Sequence, residues 1–161
     1  MTLLEKEDIE IIAALNYNWD LLNNKTLFIS GGTGFIGSVI IDVLRYRNQK
    51  CGNKINIISC SRNKCGFEDG VKFIKHDINY PLNIEEPIDF ILHLASNTHP
   101  KQYSSDPVGT ITTNVFGTYN LLELAKIYKA RFLLASSVEI YGEGNGKPIK
   151  EDYCGYIDCN T

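Results

Sequence analysis

Short, mostly apolar runs alternate along the chain with segments of helical periodicity. Runs at 26–30, 54–59, 71–75, 89–94 and 131–135 predict five buried strands. One helix is predicted after the first strand, up to about Arg47, and a long one from Asp106, as N-cap, and Pro107 to about Lys129. Strands that are apolar on both faces and alternate with helices favour a doubly wound α/β domain with a parallel sheet. No hairpin signal is apparent, which disfavours an antiparallel α+β domain.

The N-terminal segment has its own pattern. Apolar residues between positions 3 and 23 recur at roughly helical spacing, which predicts one or two helices. The spacing of apolar residues changes after Asn23 and Asn24. We therefore divide the chain into a helical extension, 1–24, and an α/β domain, 25–161.

Composition and charge limit the classes of molecule that the protein is expected to bind. A chain of 161 residues suits one domain, and a net charge of −3 argues against nucleic acid or an anionic membrane surface. No apolar stretch approaches the ~20 residues of a membrane span, and the acidic start does not resemble a secretory signal. The five cysteines form no CxxC pair and have no metal-like spacing with histidines, which predicts reduced thiols in a cytoplasmic protein without a metal site.

A glycine-rich loop, residues 31–37, follows the first strand and opens a helix. Glycine at 31 and 34 would let a pyrophosphate approach backbone N–H groups at the helix N-terminus, and Gly37 would let the helix lie close to the strand. The alternative is a simple tight turn, but the position favours a dinucleotide. The predicted contacts are Gly31, Thr33, Gly34, Phe35, Ile36 and Gly37.

The end of the second strand bears on the choice between NAD and NADP. NAD-binding domains usually have an acid here, which binds the ribose 2′-hydroxyl, but none occurs between Val43 and Phe67. Ser61 and Arg62 are present instead, and an arginine can pair with a 2′-phosphate, which favours NADP. Alternatively, Arg62 is an ordinary solvated arginine. Asp77 and Ile78, after the third strand, could lie beside the adenine.

Five segments in order resemble the extended short-chain dehydrogenase/reductase family, the NAD(P)-dependent epimerases and dehydratases of nucleotide sugars. They are Gly31 to Gly37, Asp77-Ile78, His93-Leu94-Ala95-Ser96, the helix segment 113–122 and Ser136 to Gly142. The resemblance covers about 25–142. It implies a Rossmann-like fold, a nucleotide-sugar substrate and transient hydride transfer. It also implies that Leu94, Ala95, Ser96 and Asn114 contact the cofactor.

The resemblance further implies two catalytic residues. Ser137 would hold the reacting oxygen of the sugar, although a serine at a strand end can also satisfy backbone groups. Glu139 would act as an acid or base, unless it is a surface residue. Simple epimerases of the family have a small or neutral residue there, dehydratases have an Asp–Glu pair, and decarboxylases have a lone glutamate. Val138 in place of the aspartate disfavours dehydration.

The family's general acid/base tyrosine, with a lysine four residues later, is expected beyond Thr161. The remaining strands and the substrate domain are expected there as well, so we interpret the chain as an N-terminal part that is inactive alone. The resemblance also implies a homodimer through the helix near 107–129. Two alternatives remain: a dinucleotide-binding module without chemistry, and an NADP-dependent carbonyl reductase.

Overall fold

A six-stranded sheet forms the centre of the protein. The computed structural model describes residues 3–97, 100–144, 146, 148–153 and 155. The strands are β1 (Thr26–Ser30), β2 (Asn56–Ser61), β3 (Gly66–Glu68), β4 (Val71–Lys75), β5 (Phe90–His93) and β6 (Arg131–Leu134). Their order is β3-β4-β2-β1-β5-β6, and every neighbouring pair except β3 and β4 is parallel. The predicted Rossmann-like α/β fold is confirmed.

Helices cover both faces of this sheet. They are α1 (Leu3–Ala14), α2 (Phe35–Lys50), α3 (Pro100–Ser105), α4 (Pro107–Thr112) and α5 (Thr118–Tyr128), with short 3-10 turns at Trp19–Leu22 and Val138–Tyr141. A π-helical turn, Thr113–Gly117, joins α4 to α5 in one long helix. The Asp106 carboxylate caps this helix by accepting the Gly109 N–H at 2.9 Å, and Pro107 is its first residue, as predicted. Helix α3 was not predicted.

A hairpin joins β3 to β4, so the interpretation that the sequence contains no hairpin signal was wrong, although the sheet is otherwise parallel. Asp69 and Gly70 form its turn with φ angles of 49° and 81°. Asp-Gly suits a two-residue hairpin turn because both central positions need positive φ. Periodicity missed β3 because all of its residues are exposed, which leaves no apolar alternation.

The core lies on both sides of β1. Phe28 points to a cluster beneath α5, which includes Ile91, Leu121 and Leu124. The residues on either side of Phe28 belong to a second cluster beneath α2. Since successive side chains of a strand point to opposite faces, burial on both sides explains why β1 is a continuous apolar run.

The N-terminal segment packs on the outer face of α2. Ile9 and Ala13 of α1 form a buried cluster with Val43 of α2. The Arg47 guanidinium donates to the Ala13 carbonyl at 3.0 Å and lies 4.9 Å from the centre of the Trp19 ring. Within the described residues, no helix has the length and apolar character needed to cross a bilayer.

Candidate functional site

A cleft of about 1020 Å³ runs along the carboxyl ends of the strands. The chain passes from β1 to β2 and β4 on one side, and then continues with β5 and β6 on the other side of β1. Such a switch point is where open α/β sheets bind ligands. Every residue predicted to contact the cofactor lines this cleft: Gly31, Thr33, Gly34, Phe35, Ile36, Gly37, Ser61, Arg62, Asp77, Ile78, Leu94, Ala95, Ser96 and Asn114.

The glycine loop forms a cradle that is packed so closely that side chains at Gly31 and Gly37 would overlap neighbouring backbone atoms. Gly31 has a φ of +76°, and a Cβ on it would lie 2.8 Å from the Ala95 nitrogen. A Cβ on Gly37 would lie 2.4 Å from the Gly31 carbonyl oxygen. The first hydrogen bond of α2 runs from the Ser38 N–H to the Gly34 carbonyl, which leaves the preceding N–H groups of the first turn for a ligand. This cradle fits a pyrophosphate.

Polar groups surround the cleft end formed by β2 and β4. The His76 N–H donates to the Ser61 carbonyl at 3.0 Å, and Ser61 Oγ accepts the Lys64 N–H at 3.2 Å. Arg62 is exposed, and among the described residues no carboxylate forms an ion pair with it. The cationic side chain therefore lines this end of the cleft without an ion pair to any carboxylate that the structure describes.

Cys60 lies beneath the same end of the cleft. Burial, and secondarily the negative charge of Asp77, raise the pKa of its thiol to about 11. The thiol is therefore protonated at neutral pH and is not a nucleophile. In the described part of the chain, no group of three His, Cys, Asp or Glu side chains is placed to hold a metal ion.

The other end of the cleft contains a buried histidine, His93, to which the sequence analysis assigned no role of its own. His93 is 2% exposed, and its ring nitrogens lie 2.7 Å from Ser30 Oγ and 3.1 Å from Thr118 Oγ1. Burial lowers its pKa. Ser96 Oγ donates to Asn114 Oδ1 at 2.8 Å. His93 belongs to one of the five family-like segments, and its position at the carboxyl end of a strand is the signal that it could act at the cleft.

The two predicted catalytic residues are placed differently. Ser137 lines the cleft, and its Oγ also accepts the Glu139 N–H at 3.3 Å at the start of the turn 138–141. The serine therefore has the backbone role considered above as well as a position facing the cleft. Glu139 is exposed and does not line the cleft.

Tyr46 and Lys50 have the spacing of the family's tyrosine–lysine pair but lie elsewhere. Both are on α2 and line the groove between α2 and α1, not the cleft. Tyr46 packs against the cluster that contains Ile9 and Ala13. This pair is therefore not the acid/base pair of the cleft.

Comparison with curated proteins gives relatives that include UDP-glucuronic acid decarboxylases. The chain is 38% identical over 144 residues to UDP-glucuronic acid decarboxylase 1 of Danio rerio, covering 84% of this chain and 33% of the relative. It is 40% identical over 138 residues to UDP-glucuronic acid decarboxylase 2 of Arabidopsis thaliana, covering 81% of this chain and 29% of the relative. The chain thus spans about a third of the length of these relatives.

Solved structures share the fold. A UDP-galactose 4-epimerase matches with a TM-score of 0.66 and 22% identity, over 82% of this chain and 45% of that protein. The UDP-glucose 4-epimerase of Thermus thermophilus, solved in complex with NAD, matches with a TM-score of 0.63 and 24% identity, over 82% of this chain and 44% of that protein. The model of the family described as "NAD dependent epimerase/dehydratase family" matches residues 27–161. The chain belongs to this family, whose cofactor is a nicotinamide dinucleotide, as its resemblance to the nucleotide-sugar epimerases and dehydratases predicted.

Proposed function

We propose that the chain is the dinucleotide-binding part of an enzyme that acts on a nucleotide sugar. The observation that carries the proposal is the cleft at the switch point, lined by the glycine cradle. The loop Gly31 to Gly37 would hold the pyrophosphate, and Asp77 and Ile78 would lie beside the adenine. The dinucleotide, when bound, supplies transient oxidation of the sugar by taking up a hydride and returning it.

Ser137 is the proposed contact to the reacting sugar oxygen. Its Oγ accepts the Glu139 N–H, which leaves its own hydroxyl proton to be donated to a ligand in the cleft. A hydroxyl donor at this position would orient an alcohol or polarise a carbonyl.

Among reactions of this type, we favour decarboxylation of a nucleotide-linked sugar acid. Two features support it: the similarity to the two UDP-glucuronic acid decarboxylases, and the lone Glu139 after Val138. Glu139 would act as the acid or base of this step. Its exposed position on the turn 138–141 means that it must be brought toward the substrate by contacts with the sugar.

NADP is the proposed cofactor in preference to NAD. Arg62 lines the cleft beside Ser61, where NAD-binding domains usually have an acid. Its guanidinium forms no ion pair with a described carboxylate, so it can pair with a 2′-phosphate without breaking another contact.

Calorimetric titration with NADP and with NAD tests both proposals, using the wild type, Arg62→Ala and Lys64→Ala. Lys64→Ala is the matched control because it also removes one positive charge, two residues away. Lys64 pairs with Glu68 and does not line the cleft. We expect Arg62→Ala to weaken NADP binding by roughly ten- to a hundredfold, as for a lost charge-assisted hydrogen bond, and to leave NAD binding unchanged. Equal affinities for NADP and NAD in the wild type would exclude the cofactor preference. No binding of either would exclude the dinucleotide site itself.

A second copy of the chain is the proposed partner of the long helix. An apolar stripe along this helix is exposed, with Val108 at 69%, Ile111 at 62% and Val115 at 57% exposure, whereas Leu121 and Leu124 face the core. An exposed apolar stripe of this kind is typical of an interface. Light scattering should show a dimer that Val115→Lys dissociates. The control Ile11→Lys changes an equally exposed apolar residue on α1 and should leave the dimer intact.

A further inference from the structure

We propose that His93 is a positioning residue of the cofactor cleft and that its imidazole must be uncharged for the dinucleotide to bind. The inference rests on the proposed dinucleotide site. His93 ends β5, where its Nδ1 contacts Ser30 Oγ at 2.7 Å and its Nε2 contacts Thr118 Oγ1 at 3.1 Å. Ser30 directly precedes Gly31, and Thr118 is the first residue of α5. One ring therefore joins both sides of the cleft.

Ser30, His93 and Thr118 form a hydrogen-bond network. Its proton positions follow from the backbone groups that bond to Thr118 and Ser30. The Thr118 hydroxyl donates to the Asn114 carbonyl at 2.6 Å, so its proton is already committed. It can therefore only accept from His93, which places the ring proton on Nε2. In the neutral imidazole Nδ1 is then an acceptor, and Ser30 must donate to it. Ser30 Oγ in turn accepts the Ala95 N–H at 3.4 Å. Each of these bonds is consistent with a single neutral tautomer.

The network holds three segments that line the cleft. Through Ser30 it holds the start of the glycine loop and the Ala95 amide. Through Thr118 it holds the Asn114 carbonyl at the π-helical turn, where the regular helical hydrogen bonds are interrupted. The Asn114 side chain then accepts the hydrogen bond of Ser96. The position of the cleft walls therefore depends on the donors and acceptors of one imidazole.

Protonation of His93 would break this arrangement. A proton on Nδ1 would point at Ser30 Oγ, and the Ser30 hydroxyl proton would lose its acceptor. Within the described residues, the ring contacts Ser30 of β1, Thr118 of α5 and the Phe132 ring of β6, and none of these groups carries a charge. A buried imidazolium would therefore have no described counter-charge.

The sign of the pH dependence follows from the requirement that the His93 imidazole be uncharged when the dinucleotide binds. Burial lowers the pKa of His93 below its usual value of 6.5. Dinucleotide affinity should therefore be constant above that pKa and fall as the pH decreases through it. Linkage to one proton sets a limit of about tenfold per pH unit.

The first test is a titration with dinucleotide between pH 5 and pH 8, using the wild type, Thr118→Ser, Thr118→Val and His93→Asn. Thr118→Ser keeps the hydroxyl and should behave like the wild type. Thr118→Val has the same shape without the hydroxyl and should weaken binding about tenfold, because the Nε2–H loses its acceptor. His93→Asn cannot titrate, so its affinity should not fall at low pH. Wild-type affinity in Thr118→Val, or an unchanged pH profile in His93→Asn, would overturn the proposal.

His76→Asn is the matched control for the pH profile. His76 also lines the cleft, but its ring contacts the Tyr80 carbonyl and lies outside this network. Whatever its effect on affinity, this variant should keep the decline at low pH. If the decline is lost in His76→Asn and kept in His93→Asn, the assignment to His93 is wrong.

A second measurement separates this proposal from the proposed function. Imidazole ¹H–¹⁵N NMR of the ligand-free chain, with the His93 signal assigned from His93→Asn, reports the tautomer directly. We expect a proton on Nε2 and an unprotonated Nδ1; the opposite tautomer would refute the network. Failure of the wild type to bind dinucleotide at any pH would refute the proposed function. Binding that is independent of pH while His93 titrates would refute only the positioning role.

Discussion

A Cβ on Gly31 would lie 2.8 Å from the amide nitrogen of Ala95, so the glycine loop and the end of β5 approach more closely than a side chain permits. This contact joins the segment that follows β1 to the segment that follows β5, and both residues line the cleft. The same glycine has a φ of +76°, which disfavours other residues.

Gly31→Ala should destabilise the chain more than Gly52→Ala. Gly52 has a φ of +77° but no atom within 4 Å of its Cβ position, so it reports the backbone strain alone. That strain costs about 1–2 kcal/mol, and the overlap with Ala95 should add about 1–3 kcal/mol. Urea unfolding of both variants measures the difference. Equal decreases in the free energy of unfolding for the two variants would mean that the loop moves away from Ala95 without an energetic cost.

Two fully buried serines on neighbouring strands should respond in opposite directions to replacement by alanine. Ser30 and Ser59 are both 0% exposed, but Ser30 bonds to His93 whereas Ser59 Oγ has no hydrogen-bond partner among the described residues. Removing an unpaired buried hydroxyl should stabilise the chain by about 1 kcal/mol, and Ser30→Ala should destabilise it by about 1–3 kcal/mol. Urea midpoints compare the two; destabilisation by Ser59→Ala would show that the hydroxyl is satisfied.

Cys60 should be inert to thiol reagents in the folded chain. At pH 8 a thiol with a pKa of about 11 is thiolate in roughly one molecule in a thousand, and Cys60 is also buried. The measurement uses a variant that retains Cys60 alone, compared with one that retains the exposed Cys65 alone. Colorimetric labelling should be fast for Cys65, and for Cys60 only after denaturation. Rapid labelling of native Cys60 would contradict its burial.

Asp89 should contribute to stability at neutral pH and lose that contribution in acid. The Asp89 carboxylate accepts hydrogen bonds from the Lys25 ammonium at 2.8 Å and from the Thr26 N–H at 2.9 Å. These bonds lower the pKa of Asp89 in the folded state. A lowered folded pKa stabilises the fold above the unfolded value of about 3.9, and this stabilisation disappears as the pH falls through the folded value. Asp89→Asn should therefore be less stable than the wild type at pH 7, with the difference shrinking below pH 4.

The control for this experiment is Asp8→Asn, which changes an exposed aspartate on α1. Its unfolding free energy should differ little from the wild type across the same pH range. A gap between wild type and Asp89→Asn that stays constant down to pH 3 would contradict the role of the ionised carboxylate.

Local signals made much of the fold predictable. β1 and β4 have the predicted bounds, and the glycine loop lies where the strand–glycine–helix order placed it. In each case the pattern is contained within a few consecutive residues. The hairpin at Asp69 and Gly70 also has a local signal, the Asp-Gly pair, but the exposed strand β3 that precedes it shows no apolar alternation.

The role of His93 could not be predicted because its partners are distant in sequence. Ser30 and Thr118 come beside it only when β1, β5 and α5 have packed together. That no described group hydrogen-bonds to Ser59 Oγ is likewise a property of packing, since a strand pattern shows that a residue is buried but not what surrounds it. Tyr46 and Lys50 show the converse, because their motif-like spacing lies on a part of α2 that lines the groove beside α1 and not the cleft.

The central place of β1 in the strand order has a consequence for how the domain opens. β2 and β4 lie on one side of it and β5 and β6 on the other, so the two halves of the sheet are joined through the backbone hydrogen bonds of a single strand. A ligand lying across the cleft would act as a second, non-covalent joint between them. Amide hydrogens in β4 and β6, which share no contact, would then slow their exchange with solvent together when the cleft is filled, and the two halves would open as one cooperative unit.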